Sequence, residues 1–306
     1  MLVLSNKCGQ LGNRLFAFAH LIAAAKENNF RIVNLSFDEY AKYFQFTSQD
    51  ILCRYPHVKS YLTSDNVRSA LFILNKAVVK LLRMVRFYNG PLHGMVIADL
   101  PEYQFTGDKF YNLKEKSFLR KAAKKKLLFL FGRFFRDYEG LNRHQEAVKL
   151  FFTPIQPIRE NVSLFFQKAK VDVDLVIIGV HVRRGDYKVF AEGKYFYSLT
   201  EYFDKMKELQ LSLSDRKVKF IICSNEEIDL SLFDGLDVIK GPGHIVEDMY
   251  VLAMCDYIMG PPSTYTLWAS FYGGKPLCRL KLIDKKLTLK DFEILPPETL
   301  YNFSFN

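Results

Sequence analysis

The sequence predicts an α/β chain in two halves, each built on a parallel sheet, and three observations carry that prediction. Short apolar runs alternate with helical patterns along its 306 residues, the order in which strands are joined by crossover helices. One run, residues 175–181, is apolar without a break, as expected of a strand covered on both faces. A Pro-containing stretch, residues 152–158, separates the halves and assigns residues 1–155 to one domain and 156–306 to the other. Two sheets, one per half, would leave a cleft between them.

In order, Leu2–Leu4 reads as a short apolar strand and residues 5–12 as a glycine-containing loop. A helix is expected over residues 13–28, its inner face Leu15, Ala19, Ile22, Ala23 and Lys26, and a strand over residues 31–35. Residues 68–136 are basic and apolar by turns, with Lys and Arg dense in 76–86 and 120–126, and read as a basic helical segment. The strand at 175–181 is followed by a polar loop. Ser198 with Glu201 then forms a capping-box pattern, which opens a helix to about residue 209. Next come a strand (residues 218–223), a helix (245–255), a strand (257–259) and a helix from Thr264, ended by Gly273 and Gly274 before a last strand at 276–279.

Composition narrows the function classes. Hydrophobic residues make up 49% and charged residues 25%, which excludes general disorder. The net charge of +10 favours an anionic partner: a phosphate ligand, nucleic acid or an acidic membrane. No run reaches the roughly 18 apolar residues that a membrane span needs. The start turns polar after four residues, unlike a signal peptide, so the triplets at Asn34, Asn161 and Asn302 are not expected to be glycosylated. Five scattered cysteines without a C-x-x-C pair argue against a disulfide framework and a zinc site, and for a cytoplasmic protein.

The sharpest chemical signal is His181-Val-Arg-Arg-Gly-Asp-Tyr187, directly after the buried strand. It falls at a strand's carboxyl end, where open α/β sheets bind ligands. Arg183 and Arg184 there could hold a diphosphate by forked hydrogen bonds, and Asp186 could pin one guanidinium; the plain alternative is a surface Arg–Asp pair. Ser263 and Thr264 lie where a helix begins, so hydroxyls and free N–H groups converge on a phosphate-sized point, although simple capping would look the same. Asp248, near another helix start, could accept the paired donors of a guanine edge or merely favour the helix dipole. Gly9 and Gly12 lack the spacing of a dinucleotide loop; the better reading is a turn at the cleft edge made by Gly12, Asn13 and Arg14.

These motifs, with the opening Cys8-Gly-Gln-Leu-Gly-Asn-Arg-Leu and the run from Asp248 to Trp268, resemble glycosyltransferase family 11, the α-1,2-fucosyltransferases, within the wider α-1,2/α-1,6/protein O-fucosyltransferase superfamily. The resemblance runs in order from near residue 1 to about 280, leaving residues 45–125 unmatched. It implies a GT-B-type fold of two Rossmann-like domains, with GDP-fucose in the C-terminal one and the acceptor largely on the N-terminal one. It also implies inverting transfer without a metal or other cofactor. Arg183 is then the essential diphosphate ligand, supported by Arg184, Asp186 and Tyr187. His181 lies near the nucleoside, Asp248 reads guanine, and Ser263 and Thr264 hold the phosphates. The chain departs from the family in having Ser224-Asn225-Glu226 where Ser-Asp-Asp is common, and Trp268 alone where two tryptophans are common.

Two local arguments go with this. The only Asp-x-Asp triplet, Asp172-Val-Asp174, precedes its strand and so sits at the wrong end of a sheet to carry a catalytic cation. Inverting transfer needs a base, and Glu192, in the loop after the arginines, is the candidate, against the plain reading of a solvated acid beside Lys188 and Lys194. The expected acceptor is an oligosaccharide or lipid-linked glycan, with the basic segment able to rest on the inner face of a membrane. The alternatives are a fucosyltransferase of another linkage, a transferase of another GDP-sugar, a non-catalytic GDP-sugar binder and a nucleic-acid-binding protein. Against the last, the arginines cluster at a strand end rather than along a stripe, so no nucleic acid is expected.

Overall fold

Strand β1 (Leu2–Leu4) is buried at every position because parallel neighbours flank it: β2 (Ile32–Asn34) on one side and β6 (Leu127–Gly132) on the other. The sheet continues outward to β3 (Arg54–Tyr55), antiparallel to β2, and to β4 (His93–Ala98), parallel to β6. Two further short strands, β5 (Tyr111–Asn112) and β7 (Phe135–Arg136), pair with each other. The computed structural model describes residues 1–98, 110–132 and 134–296. They divide into two units, Met1–Gln156 and Pro157–Pro296.

In the first unit the segment expected to be a basic helical region contributes two of the five sheet strands, β4 and β6. Their apolar runs are short, and lysines on the flanking turns hide them in any sequence average. Lys121 and Lys125 turn back to donate to the carbonyls of Met95 and Gly90, so these cations cap the sheet. The first helix spans Leu11–Asn28, two residues earlier than its pattern suggests, because Leu11 and Gly12 are buried and start the first turn. Gly12, expected in the loop, therefore belongs to the helix with Asn13 and Arg14. Lys26, placed on the inner face by spacing, is exposed. A longer helix, Asp65–Met84, packs Val79 against the sheet residues Val3, Val33, Met95 and Phe129, and Phe72 on it is also buried.

The second unit holds β8 (Val176–Val182), β9 (Val218–Ser224), β10 (Val238–Lys240), β11 (Tyr257–Gly260) and β12 (Leu277–Arg279), in the order β10-β9-β8-β11-β12. Every neighbouring pair is parallel, so all five carboxyl ends emerge on one edge. All seven residues of β8 are buried, as its unbroken apolar run requires. The helix Gln156–Ala169 begins inside the Pro-containing stretch; Pro157 sits in its first turn, where a missing N–H costs nothing. The capping box at Ser198 and Glu201 forms and opens the helix Leu199–Ser212. Helices Ile245–Met254 and Thr264–Gly273 complete the layer beside β11.

All five cysteines are free thiols. Among the described residues no helix is long and apolar enough to cross a membrane. Of the three Asn triplets, Asn34 is buried in β2, Asn161 donates to Glu247 at 2.8 Å, and Asn302 lies outside the described residues.

Candidate functional site

The carboxyl edge of the second sheet gathers the motifs that the sequence singled out. His181 is the sixth residue of β8, only 5% exposed, with its ring stacked on Tyr265 at 4.8 Å. Burial, and then the neighbouring Arg183, push its pKa down to about 3, so the imidazole stays neutral. Just beyond the strand, Arg183 donates through Nε and Nη2 to the two oxygens of Asp186, at 3.1 and 2.8 Å. This fork orients a mostly buried guanidinium. Burial works against its charge, but the bond to Asp186 leaves its pKa raised, and Asp186 is held below the usual carboxylate range by the same bond.

Three loops are fastened to one another here. Tyr187 donates its hydroxyl to the carbonyl of Pro262 at 2.6 Å, tying the arginine loop to the loop after β11. Gly185 donates its N–H to Glu226 Oε1 at 2.9 Å, and Arg184 donates its N–H to Asn225 Oδ1 at 3.4 Å, tying it to the loop after β9. The Arg184 guanidinium lies 4.0 Å from Glu226 and packs over the Phe196 ring at 5.2 Å. Its Nε is buried without a hydrogen-bond partner.

Ser263 is the N-cap of the helix Thr264–Gly273, its Oγ accepting from the N–H of Tyr265 at 3.1 Å. Ser263 is buried and Thr264 half-buried at that helix start. Asp248 lies in the first turn of the helix Ile245–Met254 and is 5% exposed. Its Oδ1 accepts from the N–H of Gly243 at 2.8 Å, in a turn whose φ of +80° suits glycine. Burial raises its pKa to about 6 despite that bond. Tyr265 links the two helices by donating its hydroxyl to Ile245 O at 2.7 Å, and both Asp248 and Arg183 act on that hydroxyl electrostatically.

Not every predicted residue joins this cluster. Glu192 is exposed in the turn that follows, where Ala191 and Glu192 both adopt left-handed backbone, φ 49° and 58°. That conformation is uncommon away from glycine and marks a loop held in place by its surroundings. Asp172 and Asp174 precede β8, at the opposite end of the strand from His181. In the first unit Arg14 pairs with Glu39 at 2.9 Å while Lys7 bridges Asp38 and Glu39. Arg14 also donates to Gly9 O and lies over the Tyr40 ring, so it braces the turn ahead of the first helix beside Asn13.

Reasoning from sequence missed Asn225 and Glu226 as parts of the site, though it noted them as a departure from a pattern. Their position directly after a parallel strand, level with the arginine loop, was the available signal. Gly243 and Tyr265 carried none, because the contacts through which they act, to Asp248 and to His181 and Ile245, exist only in the folded chain.

The family model described as glycosyl transferase family 11 matches residues 137–299. No curated protein matches the chain by sequence. Among solved structures, POFUT1 in complex with GDP-fucose is 10% identical, over 90% of this chain and 94% of that one, with a TM-score of 0.52. FUT1 of Arabidopsis thaliana, a mutant in complex with GDP, is 11% identical over 92% and 71%, with a TM-score of 0.58. The fucosyltransferase NodZ from Bradyrhizobium is 18% identical over 92% and 94%, with a TM-score of 0.54. At these identities the likeness is one of fold: α/β, with Rossmann-like parallel sheets of the GT-B type.

Proposed function

The chain belongs to glycosyl transferase family 11, and on that premise we propose that it moves L-fucose from GDP-fucose to a hydroxyl of a glycan acceptor. The observation that carries this reading is the joining of three loops at the carboxyl edge of the second sheet, with an oriented arginine and a buried carboxylate on that edge. A nucleoside diphosphate has the matching chemistry. Its diphosphate suits the Arg183 guanidinium and the helix start at Ser263 and Thr264, and a guanine edge offers two donors to Asp248. His181, neutral and stacked on Tyr265, would lie near the nucleoside. The structurally similar POFUT1 and Arabidopsis FUT1 are seen in complex with GDP-fucose and GDP, which supports the same donor here.

In the proposed reaction the bond between the fucose anomeric carbon and the β-phosphate oxygen breaks, and its electron pair stays on the phosphate. The acceptor hydroxyl attacks from the opposite face, giving inversion, and loses its proton to a base, for which Glu192 is the candidate. Negative charge grows on the leaving diphosphate. Arg183 stabilises it, with Arg184 behind, in the electrostatic role that a cation would fill elsewhere. Asp186 and Glu226 hold these arginines in place before the substrate arrives, so little reorganisation is needed.

We assign the linkage as α-1,2, after the family's type, and the location as the cytoplasm, where free thiols and GDP-sugars coexist. The deciding experiment incubates the protein with GDP-fucose and a panel of galactose-terminated glycans, with and without EDTA, and reads the product linkage by NMR. An α-1,2 product formed in EDTA is expected. Release of GDP without any fucosylated product, or activity abolished by EDTA and restored by manganese, would overturn respectively the transfer and the metal-free mechanism.

A further inference from the structure

We infer that the helix Asp65–Met84 and the turn after it form a docking face for an anionic lipid bilayer, independent of the donor site. This helix is apolar on two opposite sides. One side carries Phe72 and Val79 into the first unit's core. The other carries Ile73, Leu74, Leu81 and Met84, which are 65, 62, 58 and 70% exposed. At about 100° per residue, positions 73, 74, 81 and 84 fall within about 100° of one another, a stripe on the side of the helix opposite Phe72 and Val79. The stripe runs on into the turn through Val85 and Phe87, also exposed. A soluble protein rarely leaves a contiguous apolar ridge of this length open unless something covers it.

Charge identifies the occupant. Lys76 and Lys80 fall on the flank between the core-facing side and the exposed stripe, and Arg86 follows the helix. All three are exposed, and among the described residues none has an ion-pair partner. From Asn66 to Ala98 the sequence contains no Asp or Glu. An apolar stripe with cations along its flank matches the boundary layer of a bilayer, where acyl chains meet anionic headgroups and lysines reach up to the phosphates. A second copy of this chain fits less well. Pairing the same faces would bring two sets of lysines to one seam with no carboxylate to offset them. Nucleic acid would leave the apolar stripe uncovered.

The test is flotation of the full-length protein with vesicles of phosphatidylcholine alone and of phosphatidylcholine mixed with phosphatidylglycerol, at low and high salt. Binding to the mixed vesicles, weakened by salt, is expected. The double variants Leu74→Glu/Leu81→Glu and Lys76→Glu/Lys80→Glu should each reduce the bound fraction by about tenfold or more. Unchanged urea melts of the variants will show that the fold survives, because all four side chains point away from the core. Failure to float with the mixed vesicles, or flotation that neither variant reduces, refutes the proposal. So does a concentration-dependent dimer in sedimentation that Leu74→Glu/Leu81→Glu abolishes, since the face would then belong to a second copy.

Discussion

Replacing Asp248 by Asn separates two effects that the structure assigns to one carboxylate. The folded protein holds the Asp248 proton up to about pH 6, whereas the unfolded chain releases it near 3.8. Between those values the native state binds more protons than the unfolded one, so this group's contribution to stability falls as pH rises. The shift of about two units is worth ~3 kcal/mol at 1.36 kcal/mol per unit, and Asp248 is too buried for solvent to screen it much. Asn keeps an oxygen for the Gly243 N–H and cannot ionise. The stability of Asp248→Asn relative to wild type should therefore increase by ~2 kcal/mol between about pH 4.5 and pH 7, the remainder of the penalty lying at lower pH. Comparing the two proteins across pH cancels any constant cost of the buried amide. Urea melts at several pH values measure the quantity. In calorimetry the same variant should lose about 2 kcal/mol or more of GDP affinity, because its amide meets a guanine donor, with weak ADP binding unaltered. Wild-type GDP affinity should itself decline as pH falls below about 6. A stability difference that does not change with pH would refute the buried-carboxylate argument. Equal affinity for GDP and ADP would refute the guanine reading.

Arg183→Lys keeps a charge but loses the fork to Asp186, and is expected to lower kcat at saturating GDP-fucose by at least about a hundredfold. Near wild-type turnover would remove Arg183 as the leaving-group stabiliser; Ser263→Ala, by contrast, should mainly weaken donor binding. Glu226→Gln should preserve the Gly185 bond but not the pull on Arg184, so that kcat falls while the melting profile is nearly unchanged. Loss of the fold instead would mean that Glu226 is purely structural. Gly273→Ala would place a methyl group 2.0 Å from the carbonyl of Ala253, and should destabilise the second unit by about 1–3 kcal/mol in urea melts.

The sequence alone determined the elements whose cause is local or periodic. The seven residues of β8, apolar but for His181, are buried because a central parallel strand has two covered faces and no polar side to show. The Ser198 box opens its helix because the cap is made within four residues. The arginine loop, Ser263 and Asp248 were legible as candidates because residues at strand ends and helix starts carry unsatisfied backbone groups wherever they occur. Tertiary structure decided the rest. β4 and β6 were hidden in a lysine-rich region, since pairing with β1 and with each other supplies hydrogen bonds that no window of sequence contains. Leu11 and Gly12 entered the first helix because the burial of Leu11, a long-range event, outweighs the glycine's poor propensity. Glu226 and Tyr265 became parts of the site only when parallel pairing brought the ends of β8, β9 and β11 level, because a hydrogen bond such as Gly185 to Glu226 spans 41 residues of chain and exists only once the sheet does.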